Sequence, residues 1–292
     1  MNGSPQETCV RLPAAALRPY IRHYAGYHFT GLSPGTLVGL PSSSIDLIIS
    51  LAAPIELLRA PDAAQRPGSY QALLAGLQDR PAIVGSTDTA FGLHLFFTAL
   101  GARSVLGVPS ADLASRIVDL SDIWGASGQH LVDALVSART WPQRFEILDR
   151  AFLARLGNHE IDAERSRTEI SWAWDELARA HGCVPVQRLA REIGWSRRHF
   201  GERFRAVMGV APKSVARVFR FERACRLIKD QRLPLAQVAA VCGYFDQSHL
   251  TREWHLLVGS SPQAWIAREL PFLQDYEIAG RDTAPVSLRS AL

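Results

Sequence analysis

The feature that most limits how this 292-residue chain can fold is an internal repeat in its C-terminal third. Leu189-Ala190, Gly194, His199-Phe200, Phe204, Gly209 and Pro212 recur as Val238-Ala239, Gly243, His249-Leu250, Trp254, Gly259 and Pro262. The offset is 49 residues up to Gly243 and 50 beyond it, so one extra residue sits in the second turn. Apolar, glycine and proline positions that return at a fixed spacing indicate one supersecondary unit used twice. In each copy a short apolar helix (Val186 to Ile193; Leu235 to Cys242) reaches Gly194 or Gly243, which can take the left-handed conformation of a tight turn. Ala190 and Ala239, four residues earlier, let two helices cross closely. Ser196 and Asp246 are good N-caps for a second helix. Its buried face is predicted as Phe200, Phe204 and Val207 in one copy, and Leu250, Trp254 and Leu257 in the other. The pattern describes two tandem helix-turn-helix units.

The face opposite each apolar stripe is then free for a ligand. In the first copy it carries Arg197, Arg198, Gly201, Glu202 and Arg205; in the second, Gln247, Ser248, Thr251, Arg252 and His255. The DNA major groove admits one helix, and such side chains match base edges: Arg pairs with guanine, Gln with adenine, Glu accepts from a cytosine amine, and Thr touches a thymine methyl. Charge supports this reading. From Val186 to Arg232 there are thirteen basic residues against four acidic ones, a net of +9, whereas Met1 to Gly157 carries twelve of each. A basic stretch of that density neutralises phosphates and releases counterions. Between the units, Pro212 to Lys229 is predicted as one helix of roughly 18 residues, about 27 Å long. Its core face would be Val215, Val218, Phe219, Cys225 and Ile228. A rod of this length can hold two recognition helices near one DNA turn apart, about 34 Å, so that one chain reads a bipartite site.

The N-terminal half has the opposite texture. Ile21 to Phe29, Ile45 to Leu51 and Phe91 to Phe97 are short and β-rich, punctuated at Pro34-Gly35, Pro41, Pro54, Pro67-Gly68, Pro81 and Gly85. A cupin-like sandwich or barrel is expected, followed by flanking helices over Ala111 to Val118, Gln129 to Ala138 and Pro142 to Leu156. The fold class is therefore α+β. A β-rich domain with flanking helices spans residues 1–157, an all-α domain with two helix-turn-helix units spans 158–270, and a tail spans 271–292. Tyr24, Tyr27, Phe29 and Phe91 are candidates to line an effector pocket, and the same rings would serve equally as core packing. His23, His28 and His94 with Glu56 lack any HxH pair and read as strand residues, with no metal expected. Cys225 and Cys242 read as buried thiols, and no cofactor is expected. The chain has no GxSxG, Walker, GxGxxG or HExxH motif, so no enzyme is expected. With no apolar run long enough to span a bilayer, a cytoplasmic location is expected.

The run Gly243-Tyr-Phe-Asp-Gln-Ser-His-Leu-Thr-Arg-Glu-Trp, followed by Gly259-Ser-Ser-Pro262, resembles the signature of the AraC/XylS family of transcription regulators. The resemblance covers about Ser171 to Arg268. It departs at Trp254-His255, where the family usually has Phe-Lys, and at Gly201-Glu202, where a polar or basic pair is commoner. It implies seven helices, base contacts at Arg198, Gln247, Ser248, Thr251 and Arg252, and double-stranded DNA and RNA polymerase as partners. A small-molecule effector and a homodimer formed through the N-terminal half are also implied. Phe96 to Arg103 and Leu106 to Leu113 are similar to a variant regulatory domain of some members. The competing expectation is a sensor or partner-binding protein with only non-specific affinity for DNA.

Overall fold

The computed structural model describes residues 7–156, 164–231 and 233–267. The expected domain boundary at 157/158 and the tail over 271–292 lie outside the described residues. Among the described residues there are ten strands, the last of them after the first two α-helices: β1 (Glu7–Arg11), β2 (Ile21–Thr30), β3 (Gly35–Gly39), β4 (Ser44–Ser50), β5 (Ile55–Arg59), β6 (Gly68–Tyr70), β7 (Ala72–Ala75), β8 (Ala82–Ser86), β9 (Thr89–Thr98) and β10 (Ile117–Asp119). They form two antiparallel sheets, one of six strands ordered β1-β2-β9-β4-β7-β10 and one of four ordered β3-β8-β5-β6.

Strand alternation explains why two sheets and a helical layer coexist. Tyr24, Leu95, Leu47 and Leu74 stand opposite one another across β2, β9, β4 and β7, and all four are fully buried. Their face meets the helices α1 (Gly101–Leu106), α3 (Leu120–Trp124), α4 (Ala126–Ser137) and α5 (Trp141–Leu156), which follow α2's single turn at Ser110–Leu113 or flank it. Phe145 stacks on Tyr24 with ring centres 6.0 Å apart, and Phe152 meets Phe97 edge-on at 5.4 Å. The other face of the same strands turns toward the four-stranded sheet, where Leu73, Ile117, Leu57 and Ala82 fill a small core between the sheets. Residues one apart therefore serve two cores, as the period of two demands.

One expected helix is corrected. Ala111 to Val118 is helical only as α2, and Ile117–Asp119 is the edge strand β10, paired antiparallel with β7. Ser115 breaks the helix at φ 58°, and the side chain of Gln65 brackets Ile117 by accepting from its N–H (3.0 Å) and donating to its carbonyl (2.5 Å). An open ladder beside β7 thus overrides a locally helical pattern in which the β-branched Ile117-Val118 pair already favoured a strand.

Seven helices follow among the described residues: α6 (Glu164–Arg179), α7 (Val186–Glu192), α8 (Arg197–Met208), α9 (Pro212–Gln231), α10 (Leu235–Val241), α11 (Gln247–Val258) and α12 (Pro262–Ala267). The expected rod is present as α9, 20 residues long, hence about 30 Å. Its apolar positions divide between two cores. Val215, Ala216 and Phe219 join a cluster with Trp174, Phe200 and Phe204 that runs on without interruption into Phe152, Trp124 and the β-sheet. Val218, Phe221, Cys225 and Ile228 belong instead to a separate cluster around Trp254, Leu250 and Cys242. The first repeat unit is thus packed into the N-terminal domain, and Gly209 permits the approach: a Cβ there would fall 2.2 Å from Ala114 Cβ. Polar ties reinforce it. Asp79 accepts from Ser214 Oγ (2.7 Å) and the Arg217 guanidinium (2.9 Å), while Glu222 accepts from Ser43 N–H (2.6 Å).

Candidate nucleic-acid interface

Both units are built as their sequences require. Gly194 (φ 80°) and Gly243 (φ 72°) make the left-handed turns. The side chains of Ser196 and Asp246 then accept from the backbone N–H of His199 (3.2 Å) and His249 (2.6 Å), satisfying orphan donors at the first turns of α8 and α11. Each second helix has 12 residues and ends at a left-handed glycine, Gly209 or Gly259. In α11 the expected core residues Leu250, Trp254 and Leu257 are all buried, with Trp254 edge-on to Phe221 (4.9 Å) and Trp265 (5.1 Å). In α8 Phe200 and Phe204 are buried as expected, but Met208 completes the stripe and Val207 is only half-buried. The choice between i+7 and i+8 lies within the drift of a 3.6-residue period, and the docking of the helix end decides it.

The outer faces are where sequence reasoning placed them. Arg197, Arg198, Glu202 and Arg205 are exposed on α8, as are Gln247, Ser248, Arg252 and His255 on α11; Thr251 is half-buried. Arg198 donates through Nε to Glu202 Oε1 at 2.9 Å, an i,i+4 pair on a fully solvated surface. That hydrogen bond, with the carboxylate's charge, raises the Arg198 pKa above its ordinary value. The pair therefore presents a braced guanidinium rather than two independent groups. Among the described residues Arg252 has no carboxylate partner, so its guanidinium is uncommitted.

Sequence reasoning did not find what joins the two units. Arg220, on α9, donates to the carbonyl of Gly182 in the first unit (3.1 Å) and to both oxygens of Glu253 on α11 (3.0 and 3.3 Å). Its guanidinium also lies 5.5 Å from the ring centre of buried Tyr244, whose hydroxyl pKa is raised by burial and then by Glu253. Beside it the Cys183 thiol donates to the Cys242 carbonyl at 3.4 Å. Only the charge of Arg220 was visible in the sequence; its partners are 38 and 33 residues away. Cys225 and Cys242 are buried, and burial pushes the Cys242 thiol up to about 11.

The four candidate effector rings are not gathered around one space. Tyr24 and Phe91 face the helices, where the Tyr24 hydroxyl donates to Asp149 (3.1 Å) and Phe91 meets Trp141. Tyr27 and Phe29 stack on each other on the opposite side of the sheet. His23 and His94 both stack on Phe96, with ring centres 4.4 and 3.8 Å apart, whereas Glu56 accepts from Ser69 on the other sheet and His28 packs against Phe91.

Residues 189–268 match a family model described as a helix-turn-helix domain. The chain is 30% identical over 88 residues to the MmsAB operon regulatory protein of Pseudomonas aeruginosa, a match covering 30% of this chain and 29% of that protein. It is also 30% identical over 79 residues to LumQ of Photobacterium leiognathi, named as a transcriptional regulator, covering 27% of this chain and 32% of that one. The match thus spans about a third or less of either curated relative's length. Among solved structures the chain is similar to ToxT from Vibrio cholerae O395, with 11% identity and a TM-score of 0.47 over 90% of this chain and 97% of that one.

Proposed function

We propose, from the premise that residues 189–268 belong to the AraC-type helix-turn-helix family, that this chain is a sequence-specific transcription regulator reading a bipartite major-groove site. The observation that carries the reading is the pair of capped 12-residue helices, each with an apolar inner and a polar, exposed outer face, hung on one 20-residue rod. Arg197, Arg198, Glu202 and Arg205 on α8 contact one box; Gln247, Ser248, Thr251 and Arg252 on α11 read the other. α11 is the more discriminating reader, since its uncommitted Arg252 and Gln247 suit bidentate pairing with guanine and adenine. The role is regulatory rather than enzymatic, which the names of the two relatives support. The N-terminal domain would supply control through a small effector or a second copy, with RNA polymerase as the partner on the promoter and the cytoplasm as the place of action. No helix among the described residues is long and apolar enough to cross a membrane.

The test is selection from randomised duplexes by the full-length chain at near-physiological salt. Two enriched boxes centred about one helical turn, about 34 Å, apart are expected. Retention of DNA with no enrichment would favour the competing reading, a sensor whose DNA affinity is purely electrostatic.

A further inference from the structure

A cleft of about 730 Å³ lies between the two repeat units, and of the residues assigned to the reading faces only Arg197 lines it. Arg197 at the start of α8, Lys213, Arg217 and Arg220 along α9, and Glu253 from α11 line it. Lys213, Arg217 and Arg220 recur at i, i+4 and i+7, so one stripe of the rod faces the gap. Four cations against one carboxylate is a strong local excess. Arg220 is occupied by Gly182 and Glu253. Arg197 and Lys213 are exposed and have no carboxylate partner among the described residues. Arg217 is held from outside, by Asp79 of the loop between β7 and β8.

Given the DNA reading proposed above, on which this inference rests, a duplex engaging both α8 and α11 must carry its backbone across the gap that separates them. We propose that this cleft is a third DNA contact, a seat for backbone phosphate between the two boxes formed by Arg197, Lys213 and Arg217, and that Asp79 competes with that phosphate for Arg217. Phosphate and carboxylate are alternative partners for the same guanidinium fork. While Asp79 holds Arg217, the seat has two free cations; when the N-terminal domain releases it, the seat has three. The N-terminal domain would thereby set DNA affinity through a single ion pair, without touching a base-reading residue.

Salt dependence counts phosphate contacts, because the slope of log affinity against log salt changes by about 0.9 for each one. The experiment measures that slope with the full chain on the selected site and on a random-sequence duplex. Wild type is compared with Lys213→Ala, Asp79→Asn and Asp79→Asn/Arg217→Ala. Lys213→Ala should flatten the slope by about 0.9, and Asp79→Asn should steepen it by about 0.9 with tighter binding. Arg217→Ala should erase the gain given by Asp79→Asn. Asparagine can still accept from Ser214, so a melting curve close to wild type is expected of that variant. Slopes that coincide with wild type on both duplexes would overturn the seat while leaving the two readers intact. Enrichment of no boxes with the slope changes present would sink the sequence-specific reading alone, and no binding to any duplex would sink both.

Discussion

Arg252 and Arg198 look alike in the sequence and differ in the fold. Glu202 braces Arg198 at 2.9 Å, while Arg252 stands on α11 with no carboxylate partner among the described residues. Arg252→Ala should therefore cost about 1–3 kcal/mol on the cognate site and relax preference at one base position, measured by binding to single-substitution duplexes. An equal loss on every sequence would make Arg252 a phosphate contact. A second residue-scale consequence concerns acid. Burial, then electrostatic interaction with His94 and Arg22, holds His23 down at about 4 instead of 6.5, with Asp46 opposing. The folded chain thus keeps His23 neutral between pH 6.5 and 4, while the unfolded chain takes up the proton. Stability present above pH 6.5 is lost as pH falls toward 4, by about 3 kcal/mol at 1.36 kcal/mol per unit. His23→Gln should flatten that limb of a stability–pH curve; superimposable curves would assign the acid loss to other groups. None of this depression was legible in the sequence, where His23 was one of several strand histidines.

Among elements, the repeat made unit architecture readable almost residue by residue: both turns, both N-caps, the rod and most of the buried stripes. Local spacing determines these features, and local spacing is what a sequence displays. Met208 in place of Val207, strand β10 in place of a helix, and the Arg220 clamp were hidden because each is settled by a partner far along the chain. The glycines offer a test of that distinction. Gly194 has φ 80° and open space where a Cβ would go, whereas at Gly182 (φ 73°) a Cβ would lie 2.0 Å from the Ala216 carbonyl oxygen. Gly194→Ala should cost only the left-handed penalty, about 1–2 kcal/mol. Gly182→Ala carries the same penalty and must also displace α9, so its melting temperature should fall well below that of Gly194→Ala. Equal losses would mean that the turn after α6 yields without disturbing the rod.

For the whole molecule the decisive fact is that the hydrophobic clusters ignore the domain boundary suggested by sequence. One cluster joins the six-stranded sheet, its helices and the first unit; the other holds the second unit and the distal half of α9, with Leu40 from the N-terminal domain against it. Trp254→Ala, which removes a buried side chain worth roughly 3–5 kcal/mol, should lower a transition belonging to the second unit and leave the larger cluster's melting in place. Amide exchange read by segment would check this, and a uniform rise in exchange over α1–α9 would show the two clusters to be one cooperative body.

The continuity of that first cluster also bears on how such a chain can be recombined. A chimera joined in the segment after α5 would cut the N-terminal half away from the helices that complete its own interior, exposing Trp124, Phe152 and Trp174 together. The two clusters part instead in the middle of α9, around Phe219 to Phe221, so a junction there is tolerable where the incoming unit keeps a carboxylate in place of Glu253 for Arg220. There the second unit could be exchanged for another of its kind while the first stays packed on the N-terminal domain, and on the bipartite reading proposed above such an exchange should change one box of the site and leave the other.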